Sequence, residues 1–294
     1  MAVRRKNQEQ VDKLIFYGTW ILILITIAII GFAYGAFEEL SKDMPNLDEL
    51  DRASKTYTDR YILPSRVYDV NNEVIAEFWE EKRILINIED VPDTLIKAFL
   101  AIEDRDFYNH YGLNFKRIIK AGIVNIVKRE ASQGASTITQ QLARSLYLTR
   151  KKKIIRKLKE WVLSIQLERR FTKNEILEGY FNKIFLGNGA YGVEAAARVY
   201  FGKHTNELNL GECALLAALP KAPSYYSPYK NPDRAKARQE LVLSAMVEEG
   251  FITEEEKQKT MVEFWANFRE LDHTQLNLSF RSKFKVAPHF GEYI

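Results

Sequence analysis

Residues 93–112 read DTLIKAFLAIEDRDFYNHYG, and the fold and the chemistry both hang on this stretch. Leu95, Ile96, Phe99, Leu100 and Ile102 recur at helical spacing, with Asp93 placed to cap the start, so the pattern predicts a core-facing helix ending near Tyr111 and Gly112. Its C-terminal end carries the adjacent carboxylates Glu103 and Asp104, then Phe107 and His110. A carboxylate at the end of an apolar helix, beside an aromatic ring, suits a general base or acid. Taken alone, Glu103 also reads as a surface residue, and Asp104 as a like charge or a positioning contact. His110 is either structural or a ligand. The remaining histidines, His204, His273 and His289, have no close ligand spacing, which argues against zinc.

Working outward, Gln133 to Gln141 (QGASTITQQ) opens another helix. Gly134 and Ala135 permit close backbone approach, and Ser136, Thr137, Gln140 and Gln141 offer neutral donors to a polyhydroxylated or phosphorylated ligand. Ser136 or Thr137 can equally be a helix cap. The segment lacks the GK[ST] ending of a nucleotide phosphate loop, which argues against ATP. In RKLKE, Arg156 to Glu160, the two end residues either form an i,i+4 pair or both point at a cleft shared with Glu103.

The chain has 294 residues, 46% hydrophobic and 12% aromatic, with 14 Gly and 8 Pro, which excludes disordered and collagen-like classes. One cysteine, Cys213, excludes an intramolecular disulfide framework. The net charge of +4 conceals an uneven distribution: Gln141 to Arg170 holds ten bases and two acids. That run reads as a solvated helix face, an anionic-bilayer contact or a phosphate site. Leu14 to Phe37 is 24 residues without a charge, enough to span a hydrocarbon core of about 30 Å. The flank Met1 to Lys13 is net +2 and Glu38 to Arg52 net −4, so the positive-inside rule puts residues 1–13 in the cytoplasm and everything after Phe37 outside it. Nucleic acid is thereby disfavoured as a partner. A cleaved signal peptide is the alternative, but the apolar run exceeds the usual h-region of about 7 to 15 residues.

Residues 38–64, polar with Pro45, read as a stalk. A hairpin is predicted from Ser65 to Val70 and Glu73 to Trp79 around Asn71 and Asn72. Helices are predicted at Phe115 to Val127, Thr137 to Leu146, Lys153 to Phe171, Lys173 to Asn182, Gly189 to Tyr200, Asn209 to Leu219, Pro232 to Glu249 and Glu254 to Arg269. Residues 115–129 interleave bases with apolar residues and suit either a bilayer-dipping segment or an amphipathic core helix.

EDRDFYNHYG from Glu103, GASTITQQ from Gly134, RKLKE from Arg156, KNEILEGYFNKIFLGNGAYGVEAAA from Lys173 and ALPKAPSYYSP from Ala218 together resemble the peptidoglycan glycosyltransferases. These occur as the N-terminal domain of class A penicillin-binding proteins and as monofunctional transglycosylases. The strings follow the family's order and cover Pro92 to about Gly250. The resemblance implies a mainly α, lysozyme-like domain over 65–252, with a small β element near the stalk, preceded by one N-terminal transmembrane helix. It implies polymerisation of lipid II into glycan at the outer face of the cytoplasmic membrane, by a single-pass protein whose partners are lipid II, the growing glycan, the bilayer and cell wall synthesis or division proteins.

Carried over by position, Glu103 looks like the general base acting on the acceptor hydroxyl, with inversion and loss of undecaprenyl pyrophosphate. Glu160 looks like the second carboxylate. Asp104, Phe107, His110, Thr137, Gln141 and Arg156 fall on cleft-shaping positions. Arg144 stands where the family usually has lysine, Lys152 lies in the basic segment similar to the pyrophosphate contacts, and Lys221 resembles the lysine at the acceptor end. No cofactor is required by this reading and no metal-ligand residues are assigned; Mg or Mn at the donor pyrophosphate can share its charge. Residues 253–294 read as a C-terminal helix and a linker toward a transpeptidase domain, with a monofunctional enzyme as the alternative. The SxxK match at Ser227 to Lys230 has no KTG partner and reads as chance.

Overall fold

The computed structural model describes residues 82–119, 136–147 and 153–270, the strands β1 (Ser65–Tyr68) and β2 (Val74–Phe78), and, nearer the N-terminus, residues 13, 16–28, 30–32, 34, 35 and 38. Helices with described ends are α1 (Asp93–Glu103), α2 (Ile138–Tyr147), α3 (Lys153–Arg170), α4 (Lys173–Lys183), α5 (Val193–Phe201), α6 (Leu210–Ala218), α7 (Pro232–Glu248) and α8 (Glu254–Glu270). The described structure is therefore mostly helical. β1 and β2 pair antiparallel, as the Ser65–Trp79 pattern predicts.

Local chemistry sets most helix ends. Thr172 and Glu175 form a capping box on α4, as Asn209 and Glu212 do on α6, and proline opens α7, where its missing N–H costs nothing. Two expectations are corrected. Pro92, not Asp93, holds the cap position of α1; Asp93 is its first helical residue, paired with Lys97 at 2.6 Å. The helix also stops at Glu103, well before Tyr111, because Asp104 leaves helical geometry (φ −157°, ψ 77°). The stretch from Gly189 starts as a turn and a short strand rather than as helix. β4 (Phe185–Gly187) turns through Asn188, at φ 50°, into β5 (Ala190–Tyr191), which also pairs in parallel with β3 (Lys82–Arg83). The Asn-Gly pair at 188–189 is the turn signal, since both residues tolerate positive φ.

α1 lies at the centre, packed against α6 and α7, while α2 packs against α3 and α4. Phe99 of α1 joins the two groups, its ring edge-on to Tyr180 and Phe181 of α4 at 6.0 and 5.1 Å. Gln239 of α7 ties α6 to α8: its amide donates to Gly211 O at 2.7 Å and accepts from Trp265 Nε1 at 2.6 Å. The side-chain amide of Asn182 brackets the backbone N–H and C=O of Ile86 at 2.9 Å each, stapling the strand-like lead-in to α1 onto α4. Cys213 is buried in α6, and desolvation pushes its thiol up to about 12.

Residues 16–28 are helical with exposed side chains. No helix among the described residues is long and apolar enough to cross a membrane; the 14–37 span, the stalk at 38–64 and the C-terminal segment beyond Glu270 lie partly or wholly outside them. Residues 115–119 are helical and expose Phe115 and Ile119, four apart on one face; 120–129 lie outside the described residues.

Gly112 has φ +82°, and a Cβ there would lie 2.7 Å from Ser164 O in α3. We expect Gly112→Ala to destabilise the chain by about 1–3 kcal/mol from the backbone conformation alone, with the clash adding to it; urea unfolding of the purified chain measures this.

Candidate active site

The break after Glu103 creates the site. Asp104 is fully buried, and a buried carboxylate is tolerated only when its oxygens are paired. Its Oδ2 accepts from His110 Nε2 and from the backbone N–H of Ile138, both at 3.0 Å, and its Oδ1 accepts from Arg117 Nη1 at 3.1 Å. Arg117 also donates to the Glu103 carbonyl at 2.8 Å. One side chain thus gathers the end of α1, the following loop, residues 115–119 and the first turn of α2. Asp104 is a positioning residue, which its sequence reading allowed.

Glu103, released from this framework, is half-buried. Its Oε2 accepts from Gln141 Nε2 at 2.7 Å, and Gln141 Oε1 faces the Tyr180 hydroxyl at 3.4 Å. Burial, then the nearby Glu103 charge, holds the Tyr180 hydroxyl well above its ordinary pKa, with Arg144 opposing and Asp104 adding a smaller push. Arg144 is exposed one turn beyond Gln141 and therefore shares this neighbourhood. Phe107 is buried; Lys173 Nζ sits 4.4 Å from its ring centroid and donates to His110 O at 2.7 Å and to Glu168 at 2.7 Å. Glu168 in turn accepts from Thr139 Oγ1 at 2.6 Å.

Thr137 takes the capping role. Its hydroxyl accepts from Gln140 N–H at 3.1 Å and donates to Gly112 O at 2.7 Å, while Gln140 Oε1 accepts from Thr137 N–H at 2.9 Å. The N–H groups of Thr137 and Ile138, at the entry to α2, are therefore both used internally, the first by Gln140 and the second by Asp104. Glu160 is buried on α3 and pairs with Lys157, three residues earlier, rather than with Arg156. Lys157 also donates to Ser136 Oγ at 2.9 Å, so Glu160 is tied to the residues that lead into α2, as Glu103 is tied to α2 itself through Gln141. Arg156 is half-buried one position before Lys157.

The structure therefore joins Glu103, Asp104, Phe107, His110, Thr137 and Gln141 directly, Arg144 through Tyr180, and Glu160 through Lys157 and Ser136. Lys221 is exposed in the turn after α6 and, among the described residues, makes none of these contacts. Lys152, with Gly134 and Ala135, lies outside the described residues. Arg117, Lys157, Lys173 and Tyr180 are the contributors that residue-level reading did not single out; the i,i+3 spacing of Lys157 to Glu160 was the one available signal, and spacing does not choose between Lys157 and Arg156. Among the described residues no group of three His, Cys, Asp or Glu side chains could hold a metal ion.

A half-buried carboxylate held by an amide, backed by a buried acid–histidine–guanidinium cluster in a helical fold, has the make-up of a general acid–base site. The transglycosylase family model matches residues 71–247, and the chain belongs to that family. It is 46% identical over 230 residues to penicillin-binding protein 1A of Aquifex aeolicus, covering 78% of this chain and 30% of that protein. It is 42% identical over 247 residues to penicillin-binding protein 1A of Escherichia coli, covering 83% and 28%. A crystal structure of penicillin-binding protein 1A from Haemophilus influenzae aligns with TM-score 0.41 and 33% identity over 68% of this chain and 20% of that one. The chain thus spans less than a third of the length of these relatives.

We expect Asp104→Asn to destabilise the chain by about 3–5 kcal/mol, the cost of breaking a buried charge pair, because an amide cannot accept from all three donors. Chemical denaturation read by circular dichroism tests it.

Proposed function

We propose that this chain is an inverting peptidoglycan glycosyltransferase that polymerises lipid II into β-1,4-linked glycan and releases undecaprenyl pyrophosphate. The observation that carries this is the Glu103 carboxylate, half-exposed and fixed by Gln141, in a chain of the transglycosylase family. Glu103 takes the proton of the acceptor 4-hydroxyl as that oxygen attacks the donor anomeric carbon and the pyrophosphate leaves from the opposite face. Leaving-group charge calls for cations rather than a protonating acid, and Arg144, Arg156 and Lys152 are assigned to it, with Lys221 toward the acceptor end. Glu160, held by Lys157, orients the donor side.

A divalent ion, Mg or Mn, accompanies the substrate's pyrophosphate when present and would share its charge there; no group of three His, Cys, Asp or Glu side chains among the described residues could hold it. The uncharged run 14–37 anchors the chain, residues 38–64 form a stalk, and the catalytic domain of 65–252 works outside the cytoplasmic membrane. The growing glycan, the bilayer and cell wall synthesis or division proteins are its partners, and 253–294 leads toward a transpeptidase domain.

Given lipid II in detergent, the purified chain makes glycan polymer, and Glu103→Gln slows this by at least about 100-fold without loss of folded structure. Shortening of mature glycan with no polymer from lipid II would replace this reading with a glycan-cleaving one. Replacing Ile118, Ile119 and Ile123 by serine in an anchor-deleted form lowers its retention on lipid vesicles; unchanged sedimentation removes the bilayer role of 115–129.

A further inference from the structure

We propose that Tyr180 is a positioning residue for Glu103: its hydroxyl donates to Gln141 Oε1 at 3.4 Å and selects the amide orientation in which Gln141 Nε2 donates to Glu103 Oε2 at 2.7 Å. This deepens the glycosyltransferase reading and rests on it.

A glutamine amide can be turned end for end, and its two partners decide which end points where. With Oε1 toward Tyr180, the amide offers N–H to Glu103. Reversed, it sets a carbonyl against a carboxylate and leaves the tyrosine proton without its acceptor at a buried position. Tyr180 is well placed to enforce the choice. It is 2% exposed, and its ring is fixed edge-on to Phe99 at 6.0 Å and tilted against Phe181 at 5.8 Å. The hydroxyl remains a protonated donor, since burial and the Glu103 and Asp104 charges raise its pKa against the opposing charge of Arg144.

The charged groups facing this relay are Glu103 and Asp104 at the end of α1, Arg144 on α2, and Arg117, which donates to the Glu103 carbonyl. Donation to a carboxylate favours its charged form, so the relay keeps Glu103 both aimed and ready to accept a proton. The separation of 3.4 Å is long, as is common for catalytic hydrogen bonds before substrate closes the site.

The test is Tyr180→Phe in the full chain with lipid II as substrate. The variant keeps the ring and loses only the hydroxyl. We expect a roughly 10-fold fall in kcat from misaimed proton transfer with little change in KM. Loss of the donor frees the amide and weakens its donation to the charged Glu103 carboxylate, so the acidic limb of the kcat/KM profile moves to higher pH. The effect should disappear in a Gln141→Leu background. 3-Fluorotyrosine at 180, a stronger donor of nearly the same shape, should leave folding intact and move the limb to lower pH; this arm decides the matter if Tyr180→Phe does not fold. The parent and Glu103→Gln are assayed alongside. A parent without polymer removes the glycosyltransferase reading. An active parent whose pH limb is the same with tyrosine, phenylalanine and 3-fluorotyrosine, or full additivity with Gln141→Leu, overturns the role of Tyr180 alone.

Discussion

The buried carboxylate of Asp104 is the contact on which the rest of the site depends. A fully desolvated charge is costly unless its lone pairs are filled, and here three donors from three places in the chain fill them: His110, Arg117 and the N–H of Ile138. Those donors cannot be satisfied unless the end of α1, the loop after it, residues 115–119 and the start of α2 all meet. The position of Glu103, one residue earlier, follows. It leaves the helix on the side where Gln141 reaches it.

The same rule extends one layer outward. Glu168 is buried against Lys173 and Thr139, and Lys173 returns to the His110 carbonyl and the face of Phe107. Glu160 is buried against Lys157, which also holds Ser136. In both cases the acid is paired with a base that also grips a backbone carbonyl or a hydroxyl elsewhere. Charge neutralisation and site geometry are set by the same bonds, and a substitution at either partner disturbs both.

Helical periodicity made the framework legible. The starts and ends expected for α2, α3, α4, α6, α7 and α8 lie within two residues of those observed, because each has an apolar stripe and most have a capping or breaking residue. The end of α1 was not legible: its polar tail continues a helix-compatible pattern, and only the long-range donors of Asp104 pull the chain out of it. The hairpin at 185–191 was hidden under the helical pattern that follows, although the Asn-Gly pair marked it. Within the site, Glu103 and Gln141 stood out by residue type and motif. Lys157 as the partner of Glu160, the capping of α2 by Thr137 and the contact of Tyr180 with Gln141 did not, since sequence spacing does not choose between neighbouring lysine and arginine or between cap and ligand contact.

By itself, then, the sequence determined which segments are helical, which carboxylates are candidates for chemistry and to which family the chain belongs, because periodicity, capping and motif order are properties of short stretches read along the chain. Tertiary structure decided which candidates are left partly exposed and which are buried in holding contacts. Asp104, Thr137 and Phe107 are turned inward to structural work, while Glu103 is left half-exposed and aimed. That division depends on desolvation and on donors up to 39 positions away, as between Gln141 and Tyr180. Contacts across such separations exist only once the helices have packed.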